Sequence, residues 1–236
     1  MALPVSERGY PHPELLAEAD WLSTHLTDST VRVIDVRSEN DYAHGHIPRA
    51  VNLNGFSLGG LRTASEMPNP AAFARLVGLL GIDGSISVVI YDTTGPMAGM
   101  VAWAFLYYGH PDTRLLDGGL TKWTSESLPL STESVSHEPR EFSPHPIEGL
   151  YCRLGQAKAA VGQDDSIFWD TRSLGEFQGT TAPYSPPSRL GHLPGAVHLE
   201  WTELFDHTTK TLKPAKEITD LLQLKGITPE ATIATY

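Results

Sequence analysis

Two short clusters in this 236-residue sequence place a carboxylate two residues before a guanidinium: Asp35 with Arg37, and Asp170 with Arg172. Each pair follows a run suited to a buried strand. A carboxylate there can cap the next turn and pair with the arginine across it, or it can border a ligand pocket. Both copies have the pair, so capping is the expectation, and Asp170 and Arg172 are also pocket candidates. A third such position is Asp92, which follows the apolar run Ser87 to Tyr91 and precedes an apolar helix. Loops at that place in parallel α/β sheets bind ligands, and a helix N-terminus there favours anions and thiolates. Asp92 would repel an anionic substrate. As an aspartyl nucleophile it lacks a metal-binding partner motif, so a turn-capping role is expected. Glu176 and Trp201 complete the candidates. The one cysteine, Cys152, precludes an intrachain disulfide and a cysteine metal cluster. It stands before a helix rather than in a strand-to-helix loop, and a structural role is expected. Among ten histidines, His44 and His46 lie two apart with no third ligand at metal spacing. No metal and no cofactor are expected.

Positioning these residues requires strands and helices in alternation. Leu15, Ala19, Leu22 and Leu26 share a helical face, which predicts a helix over 13–26. Val31 to Val36 and Val51 to Leu53 read as strands. Asn69-Pro70 opens a helix with the stripe Phe73, Leu76, Val77, Leu80. Ser87 to Tyr91 suits a strand buried on both faces. Met97 to Tyr108 predicts a buried helix, Leu115-Leu116 a strand, and Gly118-Gly119 a turn into a helix ending near Trp123. The expected class is α/β with a mainly parallel sheet flanked by helices.

The pattern then repeats. Val33 to Ser38 matches Phe168 to Ser173 at an offset of 135, and Gly45 to Val51 matches Gly191 to Val197 at 146. The second copy therefore gains 11 residues, including Pro183, Pro186 and Pro187. The insert 179–189 is expected at a pocket mouth. Gly81-Ile82 matches Gly226-Ile227 at 145, which aligns Tyr91 with Tyr236. The expected organisation is domain 1 over 1–130, a Pro-rich linker over 131–149, and domain 2 over 150–236. By the same ruler, the second copy is expected to lack the loop and later elements that come after Tyr91 in the first.

These blocks, with Leu116 to Trp123 and Trp169 to Phe177, resemble the tandem rhodanese family of thiosulfate and 3-mercaptopyruvate sulfurtransferases. The resemblance implies two rhodanese-like domains. The first is inert, with Asp92 at the nucleophile position. The second bears a catalytic Cys directly after a strand like Ala231 to Tyr236. That Cys would take a sulfane sulfur from a small anionic donor and pass it, as a persulfide, to cyanide or another thiophilic acceptor. It is expected immediately after Tyr236, so the 236 residues alone are expected to be inactive. Mercaptopyruvate-type members tend to place an Arg where Glu176 stands, which favours thiosulfate. Trp201 matches a Trp near the active site of thiosulfate-type members.

Charge narrows the partners. Acidic residues number 28 against 17 basic, a formal net charge of −11. That argues against nucleic acid and anionic membrane surfaces. Met1 to Tyr10 has no signal-peptide pattern, and the longest apolar run is too short for a membrane span. A cytoplasmic location is expected. The alternative to an enzyme is a non-catalytic rhodanese-fold binding or regulatory module. A phosphatase or arsenate reductase on a related fold would also need a Cys loop.

Overall fold

The computed structural model describes residues 3–54, 69–182 and 189–236. It divides into two units, Met1–Tyr151 with His207–Thr211, and Cys152–Asp206 with Leu212–Tyr236.

The first unit is built on five parallel strands: β1 (Leu16–Ala17), β2 (Val31–Asp35), β3 (Val51–Asn52), β4 (Ser87–Tyr91) and β5 (Thr113–Leu116), in spatial order β1-β5-β4-β2-β3. Continuous burial along β2 and β4 results from cover on both faces. One face packs Ile34, Val88 and Ile90 against α3 (Pro70–Leu79) and α4 (Pro96–Tyr107). The other packs Val33, Val89 and Tyr91 against α1 (Ala19–His25) and α5 (Gly119–Ser125). α2 (Glu39–His44) links β2 to β3. As the sequence predicts, Asn69 caps α3, its side chain accepting from Ala71 N at 2.9 Å, with Pro70 next.

The structure overturns two expectations. The helix predicted over 13–26 is a single 3-10 turn at Pro13–Leu15, then β1, then α1. Pairing of Leu16 and Ala17 with Leu115 and Leu116 overrides the helical spacing. The segment 131–149, expected to be a linker, belongs to the first unit. Ser131 and His46 exchange backbone hydrogen bonds, Arg140 N donates to Gly78 O at 2.9 Å, and His145 N donates to Tyr108 O. Phe142 is buried against Phe73. The prolines of this segment exclude regular structure, but Phe142 still enters the core. A Cβ at Gly78 would collide with the Arg140 carbonyl, so the segment's close approach needs glycine there.

The second unit contains α6 (Leu154–Ala160), β6 (Ser166–Asp170), α7 (Leu174–Gln178), β7 (Val197–His198), α8 (Ala215–Leu224) and β8 (Thr232–Thr235). Its sheet is parallel, in the order β7-β6-β8. The order repeats α1 to β4, and β6, β7 and α8 begin 135, 146 and 145 residues after β2, β3 and α3. Residues 183–188, the interior of the insert read from the sequence, lie outside the described residues.

Candidate active site

The carboxyl ends of the paired strands carry closely matching wiring in the two units. In the first, Asp35 accepts from Arg37 N at 2.9 Å and from Arg37 Nε at 3.0 Å on Oδ1. Its Oδ2 accepts from Arg37 Nη2 at 2.5 Å and from the Tyr91 hydroxyl at 2.6 Å. Arg37 also donates to Gly45 O, and Ile47 N donates to the Tyr91 hydroxyl at 3.0 Å. Burial, then the charge of Asp35, raises the Tyr91 phenol far above its ordinary value.

In the second unit Asp170 accepts from Arg172 N and Nε, both at 3.0 Å, and from Nη2 at 2.6 Å. Arg172 donates to Gly191 O at 2.9 Å, and Leu193 N donates to the Tyr236 hydroxyl at 3.0 Å. Burial, with the nearby Asp170 charge, raises the Tyr236 phenol above its ordinary value. Burial pushes the Asp170 carboxyl up, but its hydrogen bonds to Arg172 and that residue's charge outweigh burial, leaving it below the usual range. Thr171 N donates to Tyr236 O, as Val36 N does to Tyr91 O, both at 3.0 Å. The Arg172 guanidinium lies 5.2 Å from the Tyr236 ring centroid.

The turn ahead of each short strand is also repeated. His46 stacks on Tyr42 at 3.7 Å and its Nδ1 meets Tyr42 O. His192 stacks on Phe177 at 3.8 Å and its Nδ1 meets Phe177 O. Asn52 and His198, which match at the same offset of 146, bond the carbonyls of Arg37 and Arg172 respectively.

Beyond β4, the Asp92 carboxylate accepts from the backbone N–H of Gly95 and from Ala98 N at 3.0 Å. Asp92 is 8% exposed, and burial lifts its carboxyl above the ordinary range against those bonds. The carboxylate thus occupies the cradle of N–H groups at the start of α4, where a ligand anion would sit. Asp92 O and Thr93 O in turn accept from Leu120 N and Thr121 N, which clamps the loop onto α5.

The other candidates separate. Glu176 closes a capping box: its Oε2 accepts from Ser173 N at 3.1 Å and from Ser173 Oγ at 2.6 Å. Asp41 receives the Ser38 hydroxyl in the same way, at 2.6 Å. Glu176 nonetheless lies close enough to support the Arg172 charge. Trp201 N donates to Thr171 O at 3.0 Å, and its ring packs edge-on against Phe205. Cys152 is an exposed free thiol at the start of the second unit, ahead of α6. His44 Nδ1 meets Asn40 O, and His46 Nε2 meets Glu133 O. Among the described residues no group of three or more His, Cys, Asp or Glu is arranged to hold a metal. No helix among them is long and apolar enough to cross a membrane. Sequence reasoning missed the hydroxyls of Tyr91 and Tyr236. Their identity at an offset of 145 was the signal that could have found them.

The Rhodanese-like domain pattern matches residues 18–126. The sulfur carrier protein TtuD of Thermus thermophilus is 33% identical over 239 residues, covering 97% of this chain and 84% of that protein. The chain belongs to the rhodanese family. Further rhodanese relatives are the thiosulfate sulfurtransferases of Azotobacter vinelandii, at 32% identity over 95% of this chain and 82% of that protein, and of Pseudomonas aeruginosa, at 29% over 94% and 82%. They support sulfur transfer as the general activity of this rhodanese. Among solved structures, the anaerobic ergothioneine biosynthesis enzyme from Chlorobium limicola superposes with a TM-score of 0.83 at 22% identity. That match covers 96% of this chain and 61% of the solved one, and it shows the rhodanese fold.

Proposed function

We propose that the protein moves a sulfane sulfur from thiosulfate to cyanide or another thiophilic acceptor through a cysteine persulfide. The two units are read as tandem rhodanese-like domains, the first inert and the second of catalytic type. The observation that carries this reading is the repeated Asp–Arg–Tyr wiring: Tyr236 holds the place of Tyr91, so the position after Tyr236 corresponds to Asp92. A cysteine there would meet N–H donors like those that hold Asp92, which favour a thiolate. Asp170 and Arg172 hold the strand ends beneath that loop, and Trp201 borders it.

The thiolate attacks the outer sulfur of thiosulfate. The donor's S–S bond breaks, sulfite leaves with the electron pair, and a persulfide remains. Cyanide then attacks the outer persulfide sulfur, thiocyanate leaves, and the thiolate returns. Electrons balance with no further oxidant or reductant. The thiosulfate preference is supported by the names of the relatives. It does not rest on Glu176, whose carboxylate is engaged by Ser173. Cytoplasmic chemistry of this kind needs no metal or cofactor.

Reading the gene beyond codon 236, and assaying its full product for thiocyanate, tests the proposal. A cysteine-bearing loop directly after Tyr236, and a thiosulfate-derived persulfide on it, are the expected results. A verified 236-residue chain carrying Cys152→Ser should give no turnover. Measurable turnover by that chain would overturn the placement of the nucleophile. A full product that folds and forms no persulfide would instead point to a binding module.

A further inference from the structure

Arg32 interrupts an otherwise apolar stretch of β2 and is 5% exposed. It donates to His137 Nε2 at 2.8 Å and weakly to Gly81 O at 3.3 Å, while its Nε is buried without a partner. Arg8 and Arg37 of the same unit each meet an aspartate, at 2.6 and 2.5 Å. Among the described residues no carboxylate answers Arg32. A buried charge without an opposite charge is strongly disfavoured, so an anion from outside would supply what the chain does not.

Arg49 lies in the turn that leads into β3, the strand paired with β2, and its charge reaches Arg32 and the His137 ring. Arg49 has a left-handed backbone, with φ of 67°. Its counterpart 146 residues on is Gly195, with φ of 77°. Glycine takes that conformation freely and arginine does not. The first unit therefore keeps an arginine where the repeated turn favours glycine. Arg49 is exposed and makes no ion pair or hydrogen bond among the described residues. Arg32 is likewise private to this unit, since its counterpart is Ile167.

Two further groups converge. Arg140 is matched by Asp83 at 2.9 Å. An arginine only donates, so His137 Nε2 must accept from Arg32, and the ring proton sits on Nδ1 as a second donor. Burial, with Arg32 and Arg49, holds the His137 ring well below its ordinary range, at about 4, so it is neutral in neutral solution.

We propose that Arg32, Arg49 and His137 form a binding site for a tetrahedral dianion, phosphate or sulfate, either free or as the terminal group of a small molecule. Two guanidinium groups without a counter-charge match two negative charges, and their N–H forks suit such oxygens. Arg49 and His137 Nδ1–H hold the ligand, with Arg32 contributing charge through the His137 ring. The site is at the amino end of the first sheet, whereas Asp92 and Tyr91 are at its carboxyl end. It serves neither the wiring nor the reaction described above.

The test is thermal unfolding of the 236-residue protein across a phosphate series, with chloride at matched ionic strength as reference. Arg49→Asn is the variant of choice, because Asn accepts a left-handed backbone and preserves the turn. The unfolding temperature should rise saturably with phosphate in the wild type and not in Arg49→Asn. His137→Gln, at a half-exposed position, should weaken the apparent affinity several-fold. An equal rise with phenyl phosphate assigns the site to terminal phosphate groups, and a rise with inorganic phosphate alone assigns it to the free ion. No rise beyond chloride, or the same rise in Arg49→Asn, overturns the site.

Discussion

The Tyr91 hydroxyl donates a 2.6 Å hydrogen bond to the buried Asp35 carboxylate, which joins the last residue of β4 to the last residue of β2. The same hydroxyl accepts from Ile47 N, so it also fixes the turn that leads into β3. Tyr91→Phe leaves a buried N–H and a buried carboxylate each short of a partner. Loss of buried hydrogen bonds of this kind costs about 1–3 kcal/mol. Urea denaturation should show that loss with an unchanged slope. Tyr236→Phe should cost less, because Tyr236 is 36% exposed where Tyr91 is fully buried.

Gly119 tests the clamp on the Asp92 loop. Its φ is 55°, and a Cβ there would lie 2.8 Å from both Asp92 O and Thr93 O. Gly119→Ala adds left-handed strain to a collision with two backbone oxygens. Together they should destabilise by about 1–3 kcal/mol. Hydrogen exchange of Leu120 N, which donates to Asp92 O, should quicken in step.

Glu176 separates capping from substrate selection. Glutamine also closes a capping box, so Glu176→Gln should leave stability within about 0.5 kcal/mol, while Glu176→Ala should lose about 1 kcal/mol. If the proposed thiosulfate reaction holds, KM for thiosulfate should be unchanged by Glu176→Gln. A several-fold change in KM at unchanged stability would return Glu176 to the pocket.

The strand ends were legible in sequence because burial on both faces writes an unbroken apolar run, as in Ser87–Tyr91. The repeat was legible because Gly45-His46 and Gly191-His192 serve the same turn. The helix α2 was not foreseen: Glu39–His44 is a short helix with Tyr42 as its single buried residue, too brief for periodicity. The helix over 13–26 failed because strand pairing with β5 took Leu16 and Ala17. The hydroxyl of Tyr91 was hidden by its context, since a tyrosine in a buried strand reads as one more apolar residue. Arg32 was hidden in the same way, inside Val31 to Val36.

Arg32 also gives His137 a pH signature. The ring titrates at about 6.5 in the unfolded chain and about 4 in the folded one, lowered by burial and then by Arg32 and Arg49. Between those values the unfolded state binds more protons, so stability falls as pH drops from about 6.5 toward 4 and is fully present above 6.5. The charged groups facing the ring are Arg32 and Arg49, with Arg140 acting on Arg32 from the ring's own segment. Every one is cationic, and protonation of the ring therefore adds a like charge. His137→Gln removes the titrating group and keeps an acceptor for Arg32. The difference in urea midpoint between wild type and His137→Gln should move against the wild type as pH is lowered from 7 to 5. A difference that stays constant over that range would show that the folded ring protonates as readily as the unfolded one, and that Arg32 does not hold it neutral.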